Sequence, residues 1–343
     1  MRRVWASALC LCLLTGYSAR LQEPYRRQMD DLSLLRVAGV DAAAVGVELT
    51  AAADGAGEVL RAQKETLAGA LRATREQGER GAFYGHVDRL LLGEELAGQG
   101  IAPVLDCLAR DAELGADCRL WVVRGAAAQA VEQVSGLPAR LEQLERGRNV
   151  PGAVDAMGVL AREGSLWLPA LAVEEGDVRS AGYAVVRKGL LVGYTDPEGT
   201  LGLELFTGSA VGRVVEVTVP GVGAVSLSLQ QVRITCQPHF SAQTLTGLDV
   251  VCRISARVAQ TAAALDQEAM DWLVYELEWQ LGKGLVRVLE QAQHWDADFV
   301  GLEGRVRAAQ PSRAALVTRQ WAQVFRDLDI RVTALGAVEP PSA

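Results

Sequence analysis

Histidine is scarce in this chain: His86, His239 and His294 are the three in 343 residues. No His-Glu-x-x-His helix, Cys-x-x-Cys pair or Gly-x-Ser-x-Gly turn occurs, so the common sequence marks of zinc hydrolases, thiol redox centres and serine hydrolases are missing. Basic runs are missing too. The net charge is −8, and nothing exceeds pairs such as Arg26-Arg27, which argues against a nucleic-acid partner. Aromatic residues make up 5%, so small aliphatic side chains must build the cores. After the first sixteen residues every apolar stretch is interrupted by charge within about ten residues, too short to cross a bilayer, which takes roughly 20.

What is present begins with a secretory pattern over residues 1–16: Arg2 and Arg3, an apolar run from Val4 to Leu14, then Gly16. Leu14, Thr15 and Gly16 are the residues that precede a lipid-bearing cysteine in exported lipoproteins, yet Tyr17 follows. A thioether-linked lipid needs a thiol. The chain is therefore expected to be exported without lipid at this position, and Tyr17→Cys is expected to restore lipidation. Labelled fatty acid in the native protein would instead implicate Cys10 or Cys12.

With half of its residues apolar, the chain is long enough for two or three cores. Residues 26–41 and 44–53 read as two paired strands, and 60–77 as an amphipathic helix with Leu60, Leu67 and Leu71 on one face. Strand and helix patterns then alternate up to a break near Gly147–Pro151. Residues 182–196 read as a hairpin turning at Arg187–Gly189. From Gly212 three long strand patterns precede a helix over about Leu265–Trp295 and a closing strand. The expected fold is α+β, mixed and elongated, in three domains: 17–150, a middle segment 151–210, and a strand-rich 211–338 carrying one long helix.

Three stretches together resemble one family. The first is "RRQMDDLSLLRVAGVD" (26–41), with Gln28 where an acid is usual. The second is "FYGHVDRLLLGEELAGQGIAPVLDCLARDAEL" (83–114), a block that contains Gly85, His86, Gly93, Glu94, Glu95 and Gly100. The third runs from Lys283 to Val338 and contains Asp298, Gly301 and Trp321. In this order and spacing they are similar to the spore germination receptor C-subunit family, the Ger(x)C lipoproteins of endospore-forming bacteria. The resemblance implies an extracytoplasmic, non-enzymatic subunit at the outer face of the spore inner membrane, beside membrane-embedded receptor subunits. It also implies a three-domain mixed α/β body. The departures are Tyr17 in place of the lipid-bearing cysteine and five extra residues, "LQEPY", before Arg26.

No catalytic residue, metal site or cofactor is expected. His86 and Asp88 lie two apart with no third ligand spaced nearby, and are expected to be structural. Glu94 and Glu95 are adjacent, so they point apart on a regular element, and acids favour a helix N-terminus. Gly282-Lys283-Gly284 sits inside a helical pattern and lacks the strand that precedes a phosphate loop. Trp272, Tyr275 and Trp279 form a helical stripe, expected in the core, with a partner-docking face as the alternative. Cys236 and Cys252 lie equidistant from Thr244 and are expected to face each other across a hairpin as a possible disulfide. The rival functional reading is a secreted solute-binding protein acting alone, which requires two hinged lobes around a cleft.

Overall fold

The computed structural model describes residues 32–53, 59–77, 81–111, 113–115 and 117–340. The signal segment, Tyr17 and residues 26–31 lie outside the described residues.

Strands β1 (Leu32–Ala42) and β2 (Val47–Ala53) pair antiparallel, as their alternation predicts. The following segment departs from expectation. Val59–Lys64 is a strand, β3, paired antiparallel with β2, and the helix expected over 60–77 is confined to α1, Leu67–Arg75. The cause is local: Leu60 and Ala62 are buried between exposed neighbours at the strand period. Thr66, in extended conformation, caps α1 by accepting the Gly69 N–H.

Strands β4 (Gly81–Phe83) and β5 (Arg89–Gly93) lie parallel to β1, β6 (Arg119–Arg124) parallel to β5, and β7 (Ser165–Glu174) parallel to β6. The antiparallel pair β8 (Asp177–Arg187) and β9 (Leu190–Tyr194) completes a nine-stranded sheet. Their turn is the expected one, with Lys188 and Gly189 at φ 52° and 85°. Helices cover both faces, which is why all of β5 is buried. On one face Leu90 and Leu92 share a core with α1, α2 (Glu94–Gln99), α3 (Ala102–Arg110) and α6 (Ala153–Glu163). On the other, Leu91 and Trp121 pack with α4 (Ala127–Gln133) and α5 (Leu137–Glu145).

No break in the sheet falls at residue 150, so residues 151–210 are not a separate layer. Strands β7 to β9 extend the first sheet through the backbone pairing of Val122 with Ala170, while α7 (Pro197–Thr207) packs on the second unit. That unit is a four-stranded sheet of β10 (Val214–Val219), β11 (Gly223–Ser241), β12 (Thr244–Thr261) and β13 (Asp329–Glu339). The long helix α8 (Gln267–His294) lies against it, with α9 (Leu302–Ala309) and α10 (Ala314–Val324) beside it. Tyr183 and Val185 of β8 belong to the same core as Leu227, Val250 and Leu281, so one apolar core ties the two units together.

The hairpin of β11 and β12 forms, but not in the expected register. Cys236 pairs with Val250, and Ile234 with Cys252. The turn is centred on Ala242 and Gln243 rather than Thr244, and a bulge at His239/Phe240 adjusts the pairing beyond it. A two-residue offset keeps both cysteines on the buried face but makes them diagonal neighbours, about 7–8 Å apart. That exceeds the reach of a disulfide. Both thiols are free and buried, and burial pushes them up to about 11 for Cys236 and about 12 for Cys252. Among the four described cysteines, iodoacetamide at neutral pH is therefore expected to modify half-buried Cys107 first and leave Cys118, Cys236 and Cys252 untouched in the native state. Mass spectrometry showing Cys252 alkylated as fast as Cys107 would contradict this packing.

Candidate functional site

The carboxyl ends of parallel strands are where open α/β sheets bind ligands, usually at helix N-termini. Here that edge is closed by the protein's own carboxylates. Asp41, near the end of β1, accepts the N–H groups of Ala127 (2.7 Å) and Ala128 (2.8 Å), the first residues of α4. Burial raises the Asp41 pKa despite these two bonds. Glu94, which opens α2 directly after β5, accepts the Gly125 N–H at 3.0 Å and donates its own N–H to the Gly125 carbonyl at 2.9 Å. Gly93 has no room for a side chain, since a Cβ there would lie 2.0 Å from Asp41 Oδ1. Arg124 stacks over the Tyr194 ring at 4.2 Å. The anion sites of this edge are thus spent on holding α2 and α4 to the sheet.

The remaining residues of the second block contact neighbouring parts of the chain. Gly85 and His86 form an exposed turn, where the imidazole meets the Phe83 ring edge-on at 5.7 Å. Asp88 turns to Arg89 (2.9 Å), not to His86. Glu95 points away from Glu94 and accepts from Gln99 at 3.2 Å. Gly100, at φ 138°, lets the chain turn so that the Ile101 N–H reaches the Gly189 carbonyl. One His–Asp pair was not anticipated. His239 Nε2 lies 2.7 Å from Asp249 Oδ2 across the hairpin, a proximity that only the register creates. No serine or cysteine among the described residues bonds that ring.

The third block converges in space. Asp298, buried between α8 and α9, accepts the N–H groups of Leu302 and Glu303, each at 2.8 Å, and so caps α9. Burial, with Glu163 and Glu303 nearby, raises its pKa to about 6. Gly301, at φ 74°, makes the left-handed turn into α9. Trp321 is buried on α10 and stacks on Phe325 at 5.3 Å.

The aromatic stripe of α8 is not core. Trp272, Tyr275 and Trp279 are 40%, 59% and 53% exposed. The helix buries a different ridge, Leu273, Leu277, Leu281 and Leu285, at four-residue spacing. At 3.6 residues per turn the aromatics fall on the opposite side. Trp272 is fixed by donating its indole N–H to the Thr218 carbonyl at 3.1 Å, and Lys283 sits 5.5 Å from the Trp279 ring centre. This is an exposed aromatic surface on a long helix, flanked by exposed Glu268 and Asp271.

Residues 26–141 match the family described as "spore germination protein N-terminal domain", and residues 181–337 match "Spore germination B3/ GerAC like, C-terminal". The chain belongs to this spore germination family. The crystal structure of the GerBC protein is similar across 88% of this chain and 97% of that one, with a TM-score of 0.63 and 17% identity, and so shares the fold. Among curated proteins none matches. The family matches span the positions of Asp41, Glu94, Asp298 and Trp321. Among the described residues no helix is long and apolar enough to cross a membrane.

Proposed function

We propose that this chain is the C-type subunit of a spore germinant receptor, working outside the cytoplasmic membrane by docking onto membrane-embedded receptor subunits through the aromatic face of α8. The observation that carries the docking site is the exposure of Trp272, Tyr275 and Trp279 on a helix whose leucines already fill the core. Trp and Tyr dominate the energetics of protein interfaces because they bury large area at low entropy cost. The chain is acidic overall, and the stripe is flanked by Glu268 and Asp271. The fitting partner surface is therefore an apolar groove with a basic rim, rather than an anionic lipid surface. Without a lipid at Tyr17, membrane residence would lose about 0.8 kcal/mol for every methylene it would have buried. Docking to partners then becomes the main tether. The rival reading, a solute-binding protein acting alone, needs two lobes free to hinge, and the shared core of Tyr183, Val185 and Leu281 offers no such freedom.

Binding of the purified chain to proteoliposomes carrying the membrane subunits tests this. Tyr275→Ala with Trp279→Ala is expected to weaken binding at least tenfold per residue, about 1.4 kcal/mol each. The melting temperature should change little, because neither ring is buried. Unchanged affinity in the double variant would remove α8 as the docking face.

A further inference from the structure

The outermost strand of a sheet presents a row of backbone N–H and C=O groups without partners, and proteins protect such edges with short strands, bulges, charges, proline or a covering side chain. Three of the four strands that end the two sheets are protected in this way. β3 has six residues, carries Arg61 and Lys64, and its Arg61 carbonyl accepts from Gln77 at 2.9 Å. β9 has five residues, with a bulge at Val185/Val186. β10 has six, and its Thr218 carbonyl accepts from Trp272. The fourth, β13, is different. It runs for eleven residues, pairs with β12 at every position without a shift, and holds neither lysine nor proline. Among the described residues no strand pairs with its other side. One bond fixes the direction of its free groups: the Gly336 N–H donates outward, to Glu278 of α8 at 2.8 Å. Backbone groups alternate between the two edges of a strand, so those of Ile330, Val332, Ala334 and Val338 face the same open side. Their side chains pack against the core. Arg331, Thr333, Leu335, Ala337 and Glu339 lie exposed on the opposite face, where Leu335, 43% exposed, is the one large apolar side chain of the strand.

We propose that β13 pairs with β13 of a second copy of this chain, antiparallel about a two-fold axis, so that one sheet runs through both copies. The strand is self-complementary when Leu335 lies on the axis. Val332 then faces Val338 of the second copy, and Ala334 faces Gly336, as hydrogen-bonded pairs that use the outward groups. Between them Thr333 faces Ala337, Leu335 meets Leu335, and Arg331 stands opposite Glu339 on both sides of the axis. With Ala334 on the axis instead, Asp329 would oppose Glu339, and like charges directly opposed are destabilising. With Gly336 on the axis, Arg331 would have no acid opposite it. Charge and apolar contact therefore select the same register. Glu278 holds the Gly336 N–H in the single chain and must turn away when two edges meet, so it limits the association. This inference is independent of the docking role of α8, since it rests on the backbone edge of β13.

Sedimentation equilibrium of the purified chain over the micromolar range is expected to show a reversible monomer–dimer equilibrium. Ala334→Pro removes an outward N–H while leaving the β12 ladder its donors, and should weaken association at least tenfold. Arg331→Glu and Glu339→Arg each set like charges opposite one another at both ends of the pairing, and each should weaken association about tenfold. The two substitutions together should bring it back to within threefold of the native value, a recovery that only this register gives. Both positions are exposed, so this charge exchange carries the test should Ala334→Pro fail to fold. Glu278→Ala frees the Gly336 N–H and should strengthen association severalfold. A chain that stays monomeric throughout, a folded Ala334→Pro variant as dimeric as the native chain, or a double charge exchange no tighter than either single one would each overturn the assignment. A monomeric chain whose binding to the membrane subunits in proteoliposomes is lost in Ala334→Pro would overturn it too, and would give the edge to a strand of those subunits.

Discussion

Gly202→Ala is expected to destabilise the protein by about 3 kcal/mol or more, at the upper end of what overpacking costs. Gly202 lies where α7 crosses α8. A Cβ there would fall 2.1 Å from the Gly284 carbonyl oxygen and 2.7 Å from both the Gly284 carbonyl carbon and Val288 Cγ1. Two of these three atoms are backbone of a helix held along its length by buried leucines, so the clash cannot be relieved by a rotamer change. The helices must separate, and with them the Leu281, Leu285 and Leu203 contacts that join α7 to the shared core. Gly98→Ala supplies the control. Nothing lies within 4 Å of a Cβ at Gly98 in α2, so there the smaller backbone entropy of alanine should stabilise by roughly 0.5–1 kcal/mol. Urea denaturation of both variants checks the pair. Equal midpoints would mean that the two helices are not in backbone contact.

Arg89→Ala should cost about 3 kcal/mol at neutral pH, for a different reason. The Arg89 side chain is 4% exposed, and its guanidinium grips Glu145 through two bonds of 2.8 and 2.7 Å while also holding Asp88. Glu145, itself 9% exposed, would be left with Arg119, whose side chain is 45% exposed, and with the Trp121 indole at 3.4 Å. Removing one partner of a buried pair typically costs about 3–5 kcal/mol, since a charge remains in a poorly solvated place. Arg119 keeps the value at the lower end. The double replacement Arg89→Leu with Glu145→Leu should recover most of the loss. A loss below about 1 kcal/mol for Arg89→Ala would show that the pair is better hydrated than its burial indicates.

Several elements were open to reading from residue order alone, because their determinants are local. The patterns of residues 26–41 and 44–53 announced the first strand pair, and the Arg187–Gly189 turn announced the second hairpin. The pattern around Leu273–Leu289 marked α8 within two residues of its observed ends. The three blocks carrying Gly93, Glu94, Asp298 and Trp321 identified the family later matched over residues 26–141 and 181–337.

Other features were settled only by packing. Periodicity shows which residues share a face, not which face is covered, so the aromatic stripe of α8, expected in the core, lies instead on the exposed side. The sheet beneath took the leucines. Residues 59–64 carried apolar spacing compatible with either helix or strand, and the open edge of β2 selected strand. Equal spacing from Thr244 suggested that Cys236 and Cys252 were opposed, until a bulge and a turn centred at Ala242–Gln243 displaced them by two residues. A cavity that joins Glu163 and Ser165 to Asp298 and Trp321 has no sequence signal at all. Its walls lie more than a hundred positions apart, and they meet because one hydrophobic core, running from β8 through α8, folds the second unit onto the first.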